Sequence, residues 1–147
     1  MTTTDESRAV VDTNVLIYRL DRASAHHVAA KALLERGRAG DLRLCVTQQV
    51  LLEFVRAITH AKMSRAPLAM DRAWKEVRAV GADMDILSPP DNLITRMAVL
   101  DASVRIGSNG SFDLAIAATA LSHAVEVIYT YDDSVFARVP GLTVRHP

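Results

Sequence analysis

The sequence predicts an α/β fold built on an open sheet, and three observations lead there. First, the apolar run of Val10-Val11-Asp12-Thr13-Asn14-Val15-Leu16-Ile17 stops at a carboxylate and restarts at helical spacing, as a buried strand does when it delivers an acid to a helix mouth. Second, Val125-Glu126-Val127-Ile128-Tyr129-Thr130 is rich in strand formers and is followed by Asp132 and Asp133, making a second strand that ends in carboxylate. Third, residues 113–121 are so dominated by small apolar side chains that the helix they form must be nearly buried.

In 147 residues there is room for one well-filled core, so a single domain over 1–147 is expected, with residues 1–8 as a flexible N-terminal tail. Half the residues are hydrophobic and 23% are charged, a balance that folds and does not leave the chain disordered. No apolar run is long enough to span a membrane, and the polar start lacks the core of a signal peptide, so a soluble cytoplasmic protein is expected. The only cysteine, Cys45, lies inside an apolar strand pattern and reads as a small buried residue. Lys plus Arg equals Asp plus Glu at 17 each, so the whole molecule carries no net attraction for a polyanion.

The elements follow in order. After the first strand, a short helix through Val15, Leu16, Ile17 and Tyr18 ends near Asp21. Ser24 caps a second helix over about 25–36, with Val28, Ala29, Ala32 and Leu33 on its apolar side and Gly37 and Gly40 as its stop. His26 and His27 are adjacent, cannot face the same way on a helix, and are expected to point to solvent. A second strand over 42–46 leads to Thr47, a cap for a helix whose apolar stripe is Val50, Leu51, Phe54 and Ile58. Glu53 sits beside that stripe, where it either reaches a neighbouring strand end or remains on a solvated face. Residues 62–67 form a loop. A helix over about 71–80 carries Trp74, Val77 and Val80, with Gly81 as its end and Trp74 as a structural anchor. A brief strand over 85–88 precedes Pro89-Pro90 and a helix through Leu93, Met97, Leu100 and Val104. Residues 108–111 turn the chain into the buried helix that Asp113 opens, where the helix dipole favours an ionised carboxylate. Val139-Pro140-Gly141 turns into a final edge strand.

Asp12, Glu53, Asp113 and Asp132 therefore occupy comparable places, two after strands, one at a helix start and Glu53 in a helix's second turn. Each alone is consistent with helix capping or a solvated face. Gathered without lysine partners they would repel one another, an arrangement that makes sense around a bound cation. All-oxygen donors select a hard ion, Mg²⁺ or Mn²⁺, suited to hydrolysing a phosphodiester.

Four stretches carry a resemblance to the PIN-domain family, and within it to the VapC-type ribonuclease toxins of bacterial VapBC toxin-antitoxin pairs: Val11-Asp12-Thr13-Asn14, the segment from Thr47 to Glu53, Phe112-Asp113-Leu114-Ala115-Ile116-Ala117-Ala118, and Thr130-Tyr131-Asp132 followed by Phe136 and Pro140-Gly141-Leu142. The resemblance implies a three-layer α/β/α sandwich around a parallel sheet. It also implies Mg²⁺- or Mn²⁺-dependent endoribonuclease activity leaving 5′-phosphate, a homodimer, and inhibition by a cognate VapB-type antitoxin. On that pattern Asp12 and Asp113 are the direct metal ligands. Glu53 and Asp132 complete the site directly or through water, and Thr13, Asn14 and Thr130 orient the ligands. The loop between the last acid and Phe136 is one residue longer than the family pattern, which makes Asp133 an alternative fourth acid; Asp132 is favoured because it keeps its spacing from Thr130. Phe136 is expected to pack beneath the site.

Three rival readings fit less well. A haloacid-dehalogenase-type phosphatase or phosphotransferase wants an aspartate two residues after Asp12, where Asn14 stands. A phosphoreceiver wants a lysine near a late strand end, and none follows Lys75. A non-catalytic RNA-binding or regulatory module would not need the full acid set.

Overall fold

The computed structural model describes residues 8–147. Its sheet contains β1 (Ala9–Val11), β2 (Leu44–Thr47), β3 (Asp85–Leu87), β4 (Val127–Tyr129) and β5 (Thr143–Arg145). The strand order is β3-β2-β1-β4-β5, with every pairing parallel. Between the strands run α1 (Thr13–Leu20), α2 (His27–Arg38), α3 (Gln48–Thr59), α4 (Met70–Asp83), α5 (Leu93–Val104) and α6 (Ser111–Ser122).

Right-handed connections, the rule for parallel strands, put α1 to α4 on one face of the sheet and α5 and α6 on the other. The packing agrees: α1 meets α2 and α3, α3 meets α4, and α5 lies along α6. Both faces are thus covered, which explains why β1, β2 and β4 are buried throughout and read as continuous apolar runs. The core centres on Val10, Val11, Val15, Leu16, Val46, Phe54, Ile116 and Ile128, all fully buried. Strand order reverses between β1 and β4, and at such a switch point the carboxyl ends of the strands open a crevice.

Several local expectations need correction. Gly37 and Gly81 do not end helices; both lie inside them. A Cβ on Gly37 would stand 2.7 Å from Leu44 Cδ1, and one on Gly81 would stand 3.2 Å from Ile86 Cδ1, so these glycines let α2 and α4 pass close to the strands that follow. Gly40, at φ +86°, makes the real turn. α2 is rotated from its expected phase: Ala30 and Leu33 are buried, while Val28 is 78% exposed. Its start is displaced too. Ser24 accepts from the His26 amide in a turn before the helix and does not cap it. The histidines are not simply solvated, since His26 stacks on Tyr131 at 4.1 Å and His27 Nδ1 lies 2.9 Å from the Tyr18 carbonyl. Trp74 is 45% exposed and leaves the α4 core contacts to Ala73 and Val80. Of the expected tail, residues 1–7 lie outside the described residues, and Arg8 is tied down by a 2.7 Å bond from its guanidinium to the His123 carbonyl.

Other expectations stand as read. Thr47 caps α3 by accepting from the Val50 amide, and Cys45 is fully buried, its thiol pushed up to about 11 by burial. Among the described residues no helix is long and apolar enough to cross a membrane.

Candidate active site

Asp12 follows β1 directly and is the N-cap of α1, its Oδ1 accepting from the Thr13 amide at 2.7 Å. The two readings of this residue are therefore both true, because one carboxylate oxygen caps the helix and the other faces the switch point. Oδ2 accepts a 2.7 Å hydrogen bond from the Thr130 hydroxyl, which stands just past β4. The same hydroxyl oxygen accepts from Asn14 Nδ2 at 3.1 Å and from the Asp132 amide at 3.0 Å, so its donor and both lone pairs are engaged. Asn14 returns across the crevice, its Oδ1 accepting from the Tyr131 amide at 3.2 Å. Thr130 and Asn14 thus stitch the ends of β1 and β4 together and fix the Asp12 carboxylate between them.

Glu53 comes from the second turn of α3 and turns inward. Its Oε2 accepts from the Thr13 hydroxyl at 2.9 Å, and its Oε1 accepts from Gln49 Nε2 at 3.2 Å. Asp113 lies in the first turn of α6 and, among the described residues, its carboxylate accepts no hydrogen bond. Asp132 is exposed in the loop after β4, its Oδ1 accepting from the amide and hydroxyl of Ser134.

The electrostatics tie the four acids into one site. Burial pushes the Asp12 carboxyl up to about 6 despite the hydrogen bonds that favour its charged form, and Glu53 and Asp132 add repulsion. Burial likewise raises Asp113 to about 7, with further repulsion from Asp12, Glu53 and Asp132. The expected benefit of the α6 dipole is therefore outweighed. Of the two neighbouring acids in this loop, Asp132 is the one that adds repulsion at both Asp12 and Asp113.

Converging carboxylates that repel one another, offer only oxygen and lack a cationic partner have the donor chemistry of a hard divalent cation. Among the described residues, however, no three acids, histidines or cysteines are spaced to grip an ion as they stand. Glu53 and Asp132 are each bonded to neighbouring hydroxyl and amide groups, so closing the set around an ion requires their side chains to turn. Gln49 and Ser134 take part in the site without having been singled out in the sequence. Gln49 sits one helical turn before Glu53, a spacing that was available as a signal, while Ser134 depends on the local loop conformation.

A family model for the PIN domain matches residues 9–142. The chain belongs to the PIN-domain family. The PIN chain is 30% identical over 139 residues to ribonuclease VapC43 of Mycobacterium tuberculosis, with 93% of each protein covered. It is 29% identical over 146 residues to ribonuclease VapC37 of the same species, covering 94% of this chain and 96% of that protein. Among solved structures it resembles a chain of the VapBC2 complex of Rickettsia felis bound to a promoter DNA fragment, with a TM-score of 0.67 at 17% identity, 95% of this chain and 98% of that one being covered. These relationships match the PIN fold across nearly its whole length, including the segments that carry Asp12, Glu53, Asp113 and Asp132.

Proposed function

We propose that this PIN-domain protein is a divalent-metal-dependent endoribonuclease and the toxin of a type II toxin-antitoxin pair, with Mg²⁺ or Mn²⁺ as cofactor and single-stranded RNA as substrate. The observation that carries the reading is the convergence of Asp12, Glu53, Asp113 and Asp132 from separate elements on the β1/β4 switch point, where burial and mutual repulsion raise two of them. Relatives of similar length named as VapC ribonucleases support the activity, and the fold shared with VapBC complexes supports a VapB-type antitoxin as partner.

In this reading Asp12 and Asp113 hold the ion directly, while Glu53 and Asp132 complete its surroundings directly or through water. When bound, a hard divalent cation supplies Lewis acidity and neutralises charge developing on the phosphodiester. Thr130 and the Thr13 amide keep Asp12 aimed at the crevice, and Asn14 keeps the β4 end in register with α1. Thr13 and Gln49 hold Glu53 at the rim, where its carboxylate can accept a proton from an attacking water. Asp132 extends the acidic wall toward solvent.

Purified protein freed of antitoxin should cleave single-stranded RNA with Mg²⁺ or Mn²⁺, stop in EDTA, and leave 5′-phosphate ends. Undiminished cleavage after thorough chelation, or a 2′,3′-cyclic phosphate product, contradicts the proposed chemistry. The toxin role is tested separately by co-expression with the product of a small neighbouring reading frame. Failure of any such product to relieve growth arrest removes the toxin assignment and leaves the nuclease assignment standing.

A further inference from the structure

A pocket of about 380 Å³ adjoins the acids, lined by Thr13, Gln49, Leu52, Glu53, Arg56 and Phe112 among others. Gln49, Leu52, Glu53 and Arg56 are spaced i, i+3, i+4 and i+7 and so share one face of α3, distinct from the face that buries Val50, Phe54 and Ile58. Opposite them stands Phe112, the residue immediately before Asp113 in the first turn of α6. Residues 114–120 of α6 are all buried, yet Phe112 is 59% exposed and Leu52 is 64% exposed. Two large apolar side chains beside a polar site call for an apolar ligand surface.

We propose that this pocket is a nucleobase subsite, in which the Phe112 ring stacks on a base adjoining the scissile phosphate and Arg56 meets the backbone of the same strand. The inference rests on the ribonuclease reading above. Three features favour a nucleotide as the occupant. The wall is continuous with the reaction site, because Glu53 and Thr13 belong to both and are hydrogen-bonded to each other. Its chemistry runs from the acids, where a cation and a phosphate would meet, to an aromatic face and then to a guanidinium, the order in which a strand presents phosphate, base and next phosphate. Finally, the Arg56 guanidinium has no hydrogen-bond or ion-pair partner among the described residues, and Gln49 gives only one amide N–H to Glu53, keeping its second N–H and its carbonyl oxygen for a base edge. Stacking on a phenyl ring tolerates every base, so Phe112 supplies affinity and position, while Gln49 is the group able to discriminate between bases.

The test uses the full chain carrying Asp113→Asn to suppress cleavage; the Asp113 carboxylate accepts no hydrogen bond among the described residues, so this change breaks none. Single-stranded oligoribonucleotides with 2-aminopurine placed at successive positions are titrated in Mg²⁺, following fluorescence quenching and anisotropy. One position should be quenched on binding. Adding Phe112→Leu should abolish that quench and weaken binding about tenfold, whereas Phe112→Tyr should preserve both. In the cleaving parent, Phe112→Leu should raise KM with a smaller change in kcat. The subsite is overturned if the Leu variant binds and quenches as its parent does, or if it alters only the sedimentation coefficient, which would mark the patch as a protein-protein contact. An unsubstituted protein that neither binds nor cleaves RNA overturns the ribonuclease reading and the subsite together. A protein that cleaves normally while Phe112→Leu is silent overturns the subsite alone.

Discussion

The Thr130 hydroxyl donates a 2.7 Å hydrogen bond to Asp12 Oδ2, joining residues 118 positions apart in the chain at the point where strand order reverses. Both residues are buried, Thr130 completely and Asp12 to within 6% exposure. The bond therefore acts in a weakly screening environment, where it opposes the burial that favours the neutral acid. Its consequence for function is orientation plus charge: Asp12 stays aimed at the crevice and stays easier to ionise than its burial alone would allow.

Thr130→Val removes that donor at nearly constant shape. In metal-free protein the Asp12 carboxyl should then titrate above about 6, because the lost bond favoured its charged form. The variant should also lose about 1–3 kcal/mol of stability, because Asp12 Oδ2 keeps only the longer 3.4 Å bond from Asn14 Nδ2 and the Asp132 amide loses its acceptor. Carboxylate-resolved NMR titration reads the first effect and denaturant unfolding the second. Thr130→Ser retains the hydroxyl and should titrate like the parent; equal titration of the Val variant would show that the bond does not govern Asp12.

The raised acids make metal-free stability depend on pH in a defined direction. Asp12 and Asp113 titrate at about 6 and about 7 in the folded protein against 3.8 ordinarily, so between those values the folded state binds more protons than the unfolded chain. Stability must then fall as pH rises from about 4 to about 7. Melting temperatures in EDTA should decline across that window more steeply than those of a variant carrying both Asp12→Asn and Asp113→Asn. Adding Mn²⁺ or Mg²⁺ at pH 8 should restore the parent's melting temperature and leave that variant unmoved, since only a folded site that binds the ion gains from it. A parent whose stability rises through pH 4–7 relative to the variant would contradict the site's electrostatics.

Much of this was legible from local pattern. The apolar runs ending at Asp12 and before Asp132, and the small-residue helix after Asp113, each encode burial on both sides, which is why strands and helix appear close to where they were expected. The misread glycines show the limit. Gly37 and Gly81 look like stops because glycine is a poor helix residue, and only the approach of Leu44 and Ile86 reveals that the missing Cβ is what matters. Trp74 shows the same limit, since aromatic identity suggests an anchor while exposure is decided by how helices sit on the sheet. At the site, the identity of the acids was readable, but the inward turn of Glu53 onto Thr13 and Gln49 depends on α1 and α3 lying side by side, which no single segment encodes.

That inward turn makes Thr13 a positioning residue. Thr13→Val should free Glu53 Oε2 while leaving in place the backbone amide that Asp12 caps. Loss of an outer hydrogen-bond partner commonly weakens cation binding or activity about ten- to a hundredfold. Calorimetric titration with Mn²⁺ should show weaker binding in Thr13→Val, and Thr13→Ser should recover it. Parent-like affinity in the Val variant would place Glu53 outside the ion's surroundings.

The register at the longer loop gives the last prediction. Asp132 lies two residues after Thr130 and donates its amide to the Thr130 hydroxyl oxygen, so its position is set by the same group that holds Asp12. Its carboxylate adds to the repulsion felt by both Asp12 and Asp113. Asp133 is engaged differently: its carbonyl accepts from the Ala137 amide, which folds the extra residue into the turn leading to buried Phe136. Asp132→Asn should therefore reduce RNA cleavage substantially and lower the Asp113 titration point, and Asp133→Asn should do neither. Asp12→Asn and Asp113→Asn should each nearly eliminate cleavage. Asparagine preserves size, so these comparisons separate lost charge from lost packing. A damaging Asp133→Asn beside a tolerated Asp132→Asn would move the fourth acid by one residue and require the loop to present the other carboxylate when RNA is bound.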